Sequence, residues 1–213
     1  MNCPMRRPKQ KLPQLLAADY LKIASNGILA VSDESVPYQI PFSFAFEINP
    51  DYEASVKRES QDLSQGKAIP MKAGCSLSEA FKKRDCYAKN TPEYIGNIYF
   101  HGASKGHIID LIDNGCPASF CIIDQDEIIP SELTTHYRSV IAQGVAEPVL
   151  KPIEKRHALE LIGEKYAPDY PEKINKTIDR KWNNVAVYAL RVKSLVGKEA
   201  SALMKARFAE TDK

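Results

Sequence analysis

The sequence predicts a mainly β protein of the α+β class, in which an antiparallel sheet closes into a small barrel with helices around it. Two observations predict this class. Segments rich in β-branched and aromatic residues recur along the chain. Most neighbouring segments are joined by connections too short for the crossover helix that parallel strands need. Amphipathic helical patterns lie between or beside these segments, so the helices are expected at the periphery.

Length, charge and cysteine content limit the classes of protein. The 213 residues allow one large domain or two small ones, and we predict a single domain over 1–213 with an insertion at about 49–93. A net charge of +2 favours neither a nucleic-acid nor a membrane partner. No apolar run approaches the ~20 residues of a membrane helix, and no secretory leader is expected. Five cysteines, without a CxxC pair, predict a reduced, cytoplasmic compartment.

Periodicity and composition assign the individual elements. Helices are predicted at 14–25, 104–115, 151–166 and 171–180. Strands are predicted at 28–31, 36–46, 97–101, 117–124, 137–149 and 184–192. Because Pro37 and Pro41 cannot donate to a ladder, their strand is expected at a sheet edge or beside a bulge, where a ligand can approach its backbone. Periodicity is weak over 49–93, apart from a short helix predicted near 77–84. A stretch this long with so little regular structure favours a lid or a partner surface over a simple connector.

The segment His101–His107 (HGASKGH) carries the most chemistry. A strand ends there, and a helix is expected to begin near Ser104. A phosphate at that position would be held by the first backbone N–H groups, the Ser104 hydroxyl and the Lys105 ammonium. Gly102 and Gly106 would let the backbone come close. The alternative is an ordinary helix start, with Ser104 as its cap and Lys105 in solvent. Neither GxxxxGK[ST] nor GxGxxG is present.

Other chemistries have little support in the sequence. The four histidines have no ligand-like spacing with the cysteines, so no metal site is predicted. Cys116 and Cys121 are typical of small core residues. Ser139 lacks the GxSxG context of a hydrolase nucleophile. Arg138 lies in a predicted strand, where it either faces solvent or faces a ligand or subunit boundary.

Five segments, taken in order, carry a family resemblance. They are MRRPKQKL, VPYQIPFSFAFE, NIYFHGASKGHIIDLI, YRSVIAQGVAE and VAVYALRVKSLVGKEA. Together they resemble the pyridoxamine 5'-phosphate oxidase-like flavin-binding split barrels, and within these the 5-nitroimidazole resistance (nitroreductase-like) proteins. The resemblance covers most of residues 5–48 and 94–200, and YFHGASKGH is its most specific part.

The resemblance implies a six-stranded antiparallel split barrel that forms a homodimer. Such proteins bind FMN at the subunit interface, two per dimer, and some relatives take FAD. The matching cofactor-binding positions are Tyr38, Gln39, Ile40, Pro41, Phe42, Ser43, His101, Ser104, Lys105, Arg138 and Ser139. The first six line the flavin ring and ribityl chain, the next three lie on the phosphate side, and the last two reach the flavin from the same chain or the partner. His101 also matches a family histidine beside the cofactor, and is the catalytic candidate.

Three departures from the family pattern are visible. Residues 49–93 are much longer than the usual hairpin between the same strands. Ile108 stands where many relatives have a basic residue, which leaves Lys105 as the clearer phosphate cation. The segment YQIPFS lacks the basic-aromatic strand of true pyridoxamine-phosphate oxidases, so vitamin B6 oxidation is not expected.

Three functions are compatible with these features. The first is an FMN-dependent oxidoreductase that passes NAD(P)H-derived electrons to a small, electron-poor, nitroimidazole-like substrate. The second is a carrier or sensor that binds flavin or haem without turnover, with His101 or His107 as a haem ligand. The third is a split-barrel interaction module without a cofactor.

Overall fold

The chain forms an antiparallel sheet with helices on its outer side. The computed structural model describes residues 7–33, 36–64 and 94–211. The strands are β1 Gly27–Asp33, β2 Val36–Phe42, β3 Phe44–Ile48, β4 Gly96–Gly102, β5 Cys116–Ile129, β6 Thr134–Pro148 and β7 Ala186–Glu199. The helices are α1 Gln14–Ile23, α2 Pro50–Ser64, α3 His107–Ile112, α4 Pro152–Tyr166, α5 Pro171–Lys181 and α6 Ser201–Thr211.

The sheet is rolled into a barrel. Its strand order is β2-β1-β5-β6-β7-β4-β3, and every pairing is antiparallel. The two end strands of this order, β2 and β3, are joined through Ser43 alone, so the two edges of the sheet must meet. Phe42 at the end of β2 contacts Phe100 of β4, with ring centroids 4.6 Å apart. The predicted antiparallel split barrel with peripheral helices is therefore confirmed.

The barrel has seven strands where six were expected. The sequence predicts one strand over 36–46, but the chain changes partner at Ser43. Before Ser43 it pairs with β1, in the register Gly27↔Phe42, and after Ser43 it pairs with β4, in the register Phe44↔Phe100. In this barrel the closing segment leaves one neighbour before it reaches the next. One bent strand is thus divided into β2 and β3.

Two apolar layers hold the barrel and its helices together. Inside the barrel, Phe44 and Phe120 are fully buried and pack with ring centroids 4.7 Å apart. Outside it, α4 and α5 cover β3, β4 and β7 with a second cluster that includes Tyr99, Val187 and Ile162. These strands are buried on both faces, which explains their nearly continuous apolar sequences.

The helices follow the predictions, with one addition. The predicted helices near 14–25, 151–166 and 171–180 are confirmed by α1, α4 and α5. Helix α2 was not predicted, because its periodicity is weak. Its start signals are nevertheless present: Pro50 is the first helical residue, and the Asn49 side-chain oxygen accepts a hydrogen bond from the Asp51 N–H at 3.1 Å. The helix predicted near 77–84 lies outside the described residues. No helix in the described ranges is both long and apolar enough to span a bilayer.

Gly144 is required at the bulge of β6, where the pairing with β7 shifts register between Gln143 and Gly144. A Cβ at Gly144 would overlap the backbone carbonyl of Arg191, which cannot move without disturbing the ladder. We expect Gly144→Ala to lower the free energy of unfolding by about 1–3 kcal/mol, the range for overpacked core positions. Chemical denaturation measures this loss.

Gly102→Ala is the matched control, because no described atom lies within 4 Å of a Cβ built there. We expect it to stay within about 1 kcal/mol of the wild type. A Gly144→Ala variant as stable as this control would contradict the close approach of β6 and β7.

Candidate functional site

The first part of the candidate site is the free edge of β2. Among the described strands, β2 pairs only with β1, so the prediction of an edge strand is confirmed. Tyr38, Ile40 and Phe42 pack against the core, whereas Gln39 and Pro41 are exposed. Backbone groups on the free edge that have no strand partner can bond a ligand.

The second part is the loop between β4 and α3. The structure corrects the expectation that a helix begins near Ser104. Helix α3 begins at His107, and the carbonyl of Gly106 accepts the first helical bonds, from the N–H groups of Ile109 at 2.8 Å and Asp110 at 3.1 Å. Gly106 has φ 143°, a conformation that residues with a side chain rarely adopt. Ser104 therefore caps no helix, and residues 103–106 form an exposed loop.

This loop leaves room for a ligand against its backbone. A Cβ added at Gly102 or Gly106 would meet no atom of the described chain within 4 Å. Ser104 and Lys105 are both exposed beside this space. A hydroxyl, an ammonium and open backbone thus lie within five consecutive residues. This donor set suits an anion, although it is a loop and not the helix start that was expected.

A contact between side chains joins the two parts. His107 Nε2 lies 2.8 Å from Asp33 Oδ2, at the end of β1. The Tyr38 ring meets the His107 ring edge to face, with centroids 4.8 Å apart and an interplanar angle of 88°. The predicted strand and this loop therefore lie side by side, and we call the surface that they form together the β2–loop cleft. Asp33 was not predicted, because its polar turn gives no sign of this partner.

His101 occupies the end of β4 beside the loop. The next residue back, Phe100, points into the barrel and is fully buried, so His101 points to the outer face, where it is exposed. The protein atoms around the imidazole still desolvate it enough to lower its pKa from 6.5. At neutral pH the ring is mostly uncharged, so it has one nitrogen that donates and one that accepts.

Arg138 and Ser139 lie away from this cleft in the same chain. Tyr38 is level with Val31, Ala118 and, on β6, Gly144. Arg138 is six positions along β6 from Gly144, which corresponds to roughly 20 Å of strand. The fold brings together Tyr38–Ser43 and the 101–107 segment, but it does not bring these two residues to them.

Arg138 is held instead in a cluster of charges at the far end of β6. Its Nη1 donates to Asp124 Oδ2 at 3.0 Å, and its guanidinium lies 4.5 Å from the centre of the Tyr20 ring. Its Nε is 3.6 Å from Glu199 Oε2, and the Glu199 side chain is fully buried. Arg207 also pairs with Glu199, at 2.8 Å. Arg138 is thus neither solvent-facing nor available to a ligand of the same chain.

The cysteines and possible metal ligands add no reactive group. Burial raises the pKa of the Cys116 thiol to about 11 and also raises the pKa of Cys121. Both thiols are therefore protonated at neutral pH, as expected of small core residues, although both are only partly buried. In the part of the chain that the structure describes, no three His, Cys, Asp or Glu side chains group as metal ligands.

The rolled antiparallel sheet, closed through a segment that changes strand partner at Ser43, defines the split-barrel class. The sequence model of the pyridoxamine 5'-phosphate oxidase family matches residues 92–199, about half of the chain. The chain belongs to this family. A search of curated protein sequences finds no significant match.

Solved structures share this fold at low sequence identity. The FAD and heme binding protein from Mycobacterium smegmatis has a TM-score of 0.58 at 12% identity, over 90% of this chain and 74% of its own. The flavocytochrome Anf3 from Azotobacter vinelandii has a TM-score of 0.59 at 13% identity, over 92% of this chain and 72% of its own. A candidate 5-nitroimidazole antibiotic resistance protein from Bacteroides thetaiotaomicron has a TM-score of 0.54 at 16% identity, over 89% of this chain and 86% of its own. These likenesses support the barrel topology.

The Arg138 cluster predicts a structural role for this residue. Removing the guanidinium in Arg138→Met leaves Asp124 unpaired and Glu199 with Arg207 alone. We expect a loss of about 2–3 kcal/mol in the free energy of unfolding, below the 3–5 kcal/mol for a fully broken buried pair, because Arg207 remains. Thermal or urea denaturation without added ligand measures it.

Lys105→Met is the control, because Lys105 is exposed on the loop. Its free energy of unfolding should stay within about 0.5 kcal/mol of the wild type. Equal stability of Arg138→Met and this control would mean that the cluster contributes nothing to folding.

Proposed function

We propose that the chain is a flavin-dependent oxidoreductase that binds its flavin in the β2–loop cleft. One observation carries the proposal: Tyr38 and His107 are in contact, so the strand proposed to line the ring and the loop proposed to hold the phosphate form one cleft. FMN is the flavin that the resemblance implies, and FAD is the alternative. The solved structures of a FAD and heme binding protein and of a flavocytochrome on the same fold agree with a flavin.

The residues present fit such a cofactor. The free backbone edge of β2, from Tyr38 to Ser43, is suited to a flat, polar-edged ring, because it offers hydrogen bonds without side chains in the way. The open backbone at Gly102 and Gly106 is suited to a phosphate. Ser104 and Lys105 add a hydroxyl and a permanent charge for it. These groups bind and orient the flavin and exclude water from one of its faces.

A bound flavin would supply the electron-transfer chemistry between NAD(P)H and an acceptor. This chain would supply a proton through His101. Its lowered pKa leaves a neutral ring at pH 7, which can accept a proton at one nitrogen while it donates from the other. A small electron-poor acceptor, such as a nitroimidazole, suits a cleft with these few polar groups.

We also propose a homodimer in which the flavin lies at the subunit interface. The outer face of the sheet carries an apolar row across neighbouring strands, formed by Pro41, Ile28, Cys121, Ile141 and Val196. Large apolar side chains on this face are exposed, with Ile141 at 43% and Ile123 at 62%. This row begins on β2 itself, so a second copy that covers it would also border the cleft. Arg138 and Ser139 reach a flavin in this arrangement only from the partner.

A non-catalytic flavin- or haem-binding carrier is the second candidate. The observation behind it is the contact between His107 Nε2 and Asp33, since metal-ligating histidines commonly hold a carboxylate with their second nitrogen; here the nitrogen that would ligate the iron is Nδ1. A Soret band in the purified protein would identify this case. A yellow protein that NADH and NADPH do not bleach would instead identify a flavin carrier.

The test of the flavin site is an absorption spectrum between 350 and 500 nm, followed by heat release and chromatography of the chromophore. We expect a flavin spectrum that NAD(P)H bleaches. Lys105→Ala should weaken flavin binding by about 1–3 kcal/mol, because one charge-assisted hydrogen bond is lost. Titration of the apoprotein with flavin, followed by the quenching of its fluorescence, measures this affinity.

The control is Lys173→Ala, which removes an exposed lysine from α5. It should retain the wild-type flavin affinity. Colourless protein that stays colourless with added FMN or FAD would contradict the proposed function, and unchanged affinity in Lys105→Ala would remove Lys105 from the site.

The homodimer is tested by placing a charge on the apolar row. Ile141→Lys puts an ammonium into the middle of the proposed interface, where it would be buried without a partner. We expect the molar mass from light scattering to fall from that of a dimer to that of a monomer at micromolar concentration. Ile153→Lys, at a position 82% exposed on α4, is the control and should remain dimeric. A dimeric Ile141→Lys would place the interface elsewhere.

A further inference from the structure

We propose that Tyr166 is a positioning residue of the β2–loop cleft, because its hydroxyl fixes the point at which the bent strand turns from β1 to β4. This inference rests on the proposed flavin site and adds to it a residue that does not touch the ligand. Tyr166 acts through Phe44, the first residue of β3, and through Ser43 before it.

The first step is the set of hydrogen bonds made by the Tyr166 hydroxyl, at the end of α4. The Phe44 N–H donates to the hydroxyl oxygen at 2.8 Å. The hydroxyl proton has two acceptors within reach, the carbonyl of Ser25 at 2.6 Å and the carbonyl of Phe44 at 3.0 Å. A hydroxyl has one proton to donate, and the shorter distance favours Ser25. One side-chain oxygen therefore joins the first residue of β3 to the segment that precedes β1.

The second step is the place of this hydroxyl relative to the ladder between β1 and β2. The ladder ends with the pair Gly27↔Phe42. Two residues further on, the same register would set Ser25 opposite Phe44, and these are the two residues that the Tyr166 hydroxyl joins. The hydroxyl thus stands where the next pair of the ladder would form. Because it bonds the backbone groups of that pair, the ladder can stop at Phe42 without leaving them unsatisfied.

The third step is the opposite edge of the bent strand, where the ladder with β4 begins at Phe44↔Phe100. The same register, continued by one residue, would set Ser43 opposite His101. In the described chain β2 stays with β1 instead, while β4 continues along β7 as far as Gly102. The strand β2 and the end of β4 therefore separate at Ser43, on the side of the cleft. The position of Ser43 thus sets how far β2 stands from the loop that follows β4.

The fourth step is the support of Tyr166 itself. Near the first turn of α4, Glu154 pairs at 2.7 Å with Arg191, a buried residue of β7. In the last turn, Lys165 places its Nζ 3.9 Å from the centre of the Phe44 ring. The end of α4 thus holds Phe44 by its ring as well as by its backbone. Since the helix is anchored at both ends, its last residue is a fixed point for the bent strand.

The test compares the full-length protein with Tyr166→Phe, which removes the hydroxyl and keeps the ring. The apoprotein of each is titrated with FMN and with FAD, and quenching of flavin fluorescence measures the affinity. We expect affinity to fall about threefold to tenfold, the size of effect that one net hydrogen bond has. The absorption spectrum of the bound flavin should also change, because the flavin then lies against a displaced strand.

Tyr94→Phe is the matched control. Tyr94 is 7% exposed, and its hydroxyl is hydrogen-bonded to Arg191. It precedes β4, at the end of that strand remote from His101. Both variants remove a hydroxyl that the fold uses, so chemical denaturation should show lower stability in both. We expect Tyr94→Phe to keep the wild-type flavin affinity and spectrum.

Amide hydrogen exchange tests the hydrogen bonds of the Tyr166 hydroxyl without a ligand. In the apoprotein, the Phe44 amide of Tyr166→Phe should exchange at least about threefold faster than in the wild type, relative to the amides of the central strand β7. The reason is that this variant removes the acceptor of the Phe44 N–H. In Tyr94→Phe the relative rate should not change.

The outcomes are distinct. A fall in flavin affinity and a changed spectrum in Tyr166→Phe alone, with faster exchange at Phe44, support the inference. Wild-type affinity in Tyr166→Phe, or an equal loss in Tyr94→Phe, would show that Tyr166 only stabilises the barrel and would overturn it. If the wild-type protein binds neither FMN nor FAD, the proposed function itself fails, and this is apparent before any variant is made.

Discussion

The change of partner at Ser43 is the constraint on which the rest of the structure depends. Because one strand leaves β1 and joins β4 within a single residue, the sheet must roll until its two ends meet. Rolling encloses Phe44, Phe100 and Phe120 in one core. It also leaves β2 with one paired edge and one open edge. The open edge of the cleft is therefore a direct product of the way in which the barrel closes.

Closure of the barrel depends on Ser43, and the position of helix α3 beside β2 depends on the contact between Asp33 and His107. Helix α3 has only six residues, too few to hold its position through its own hydrogen bonds. Burial of Ile108 and Ile112 anchors its inner face. Asp33 and Tyr38 fix its first residue from the side. The loop before it can then remain open without losing its place beside β2.

Much of the fold could be predicted from the sequence, because it depends on local patterns and short connections. Segments rich in β-branched and aromatic residues predicted the strands, and Pro37 with Pro41 predicted the edge. The division at Ser43 could not be predicted, because a change of strand partner depends on the closure of the whole sheet. The start of α3 was predicted too early in the sequence, because Ser104 is a residue type that favours helix starts. The φ of Gly106, just before the true start, is set by tertiary structure and leaves no such local signal.

The candidate site, like the fold, could be predicted only in part from the sequence. The 38–43 and 101–107 segments were predicted together from their resemblance to one family, and the fold joins them. Asp33 was missed because its partner is far away in the sequence. The environment of Arg138 was missed for a similar reason, since Glu199 and Arg207 come from the last strand and helix. Long-range ion pairs leave no periodic signal in a single sequence.

The prolines of β2 have a consequence for how copies of this protein behave in a crowded solution. An unpaired strand edge is normally a template on which a strand from another molecule can grow. Pro37 and Pro41 interrupt the row of N–H groups that such a strand would need. The edge is thus closed to ribbon-like self-assembly and yet accessible to a small planar molecule, which needs only a few of those groups.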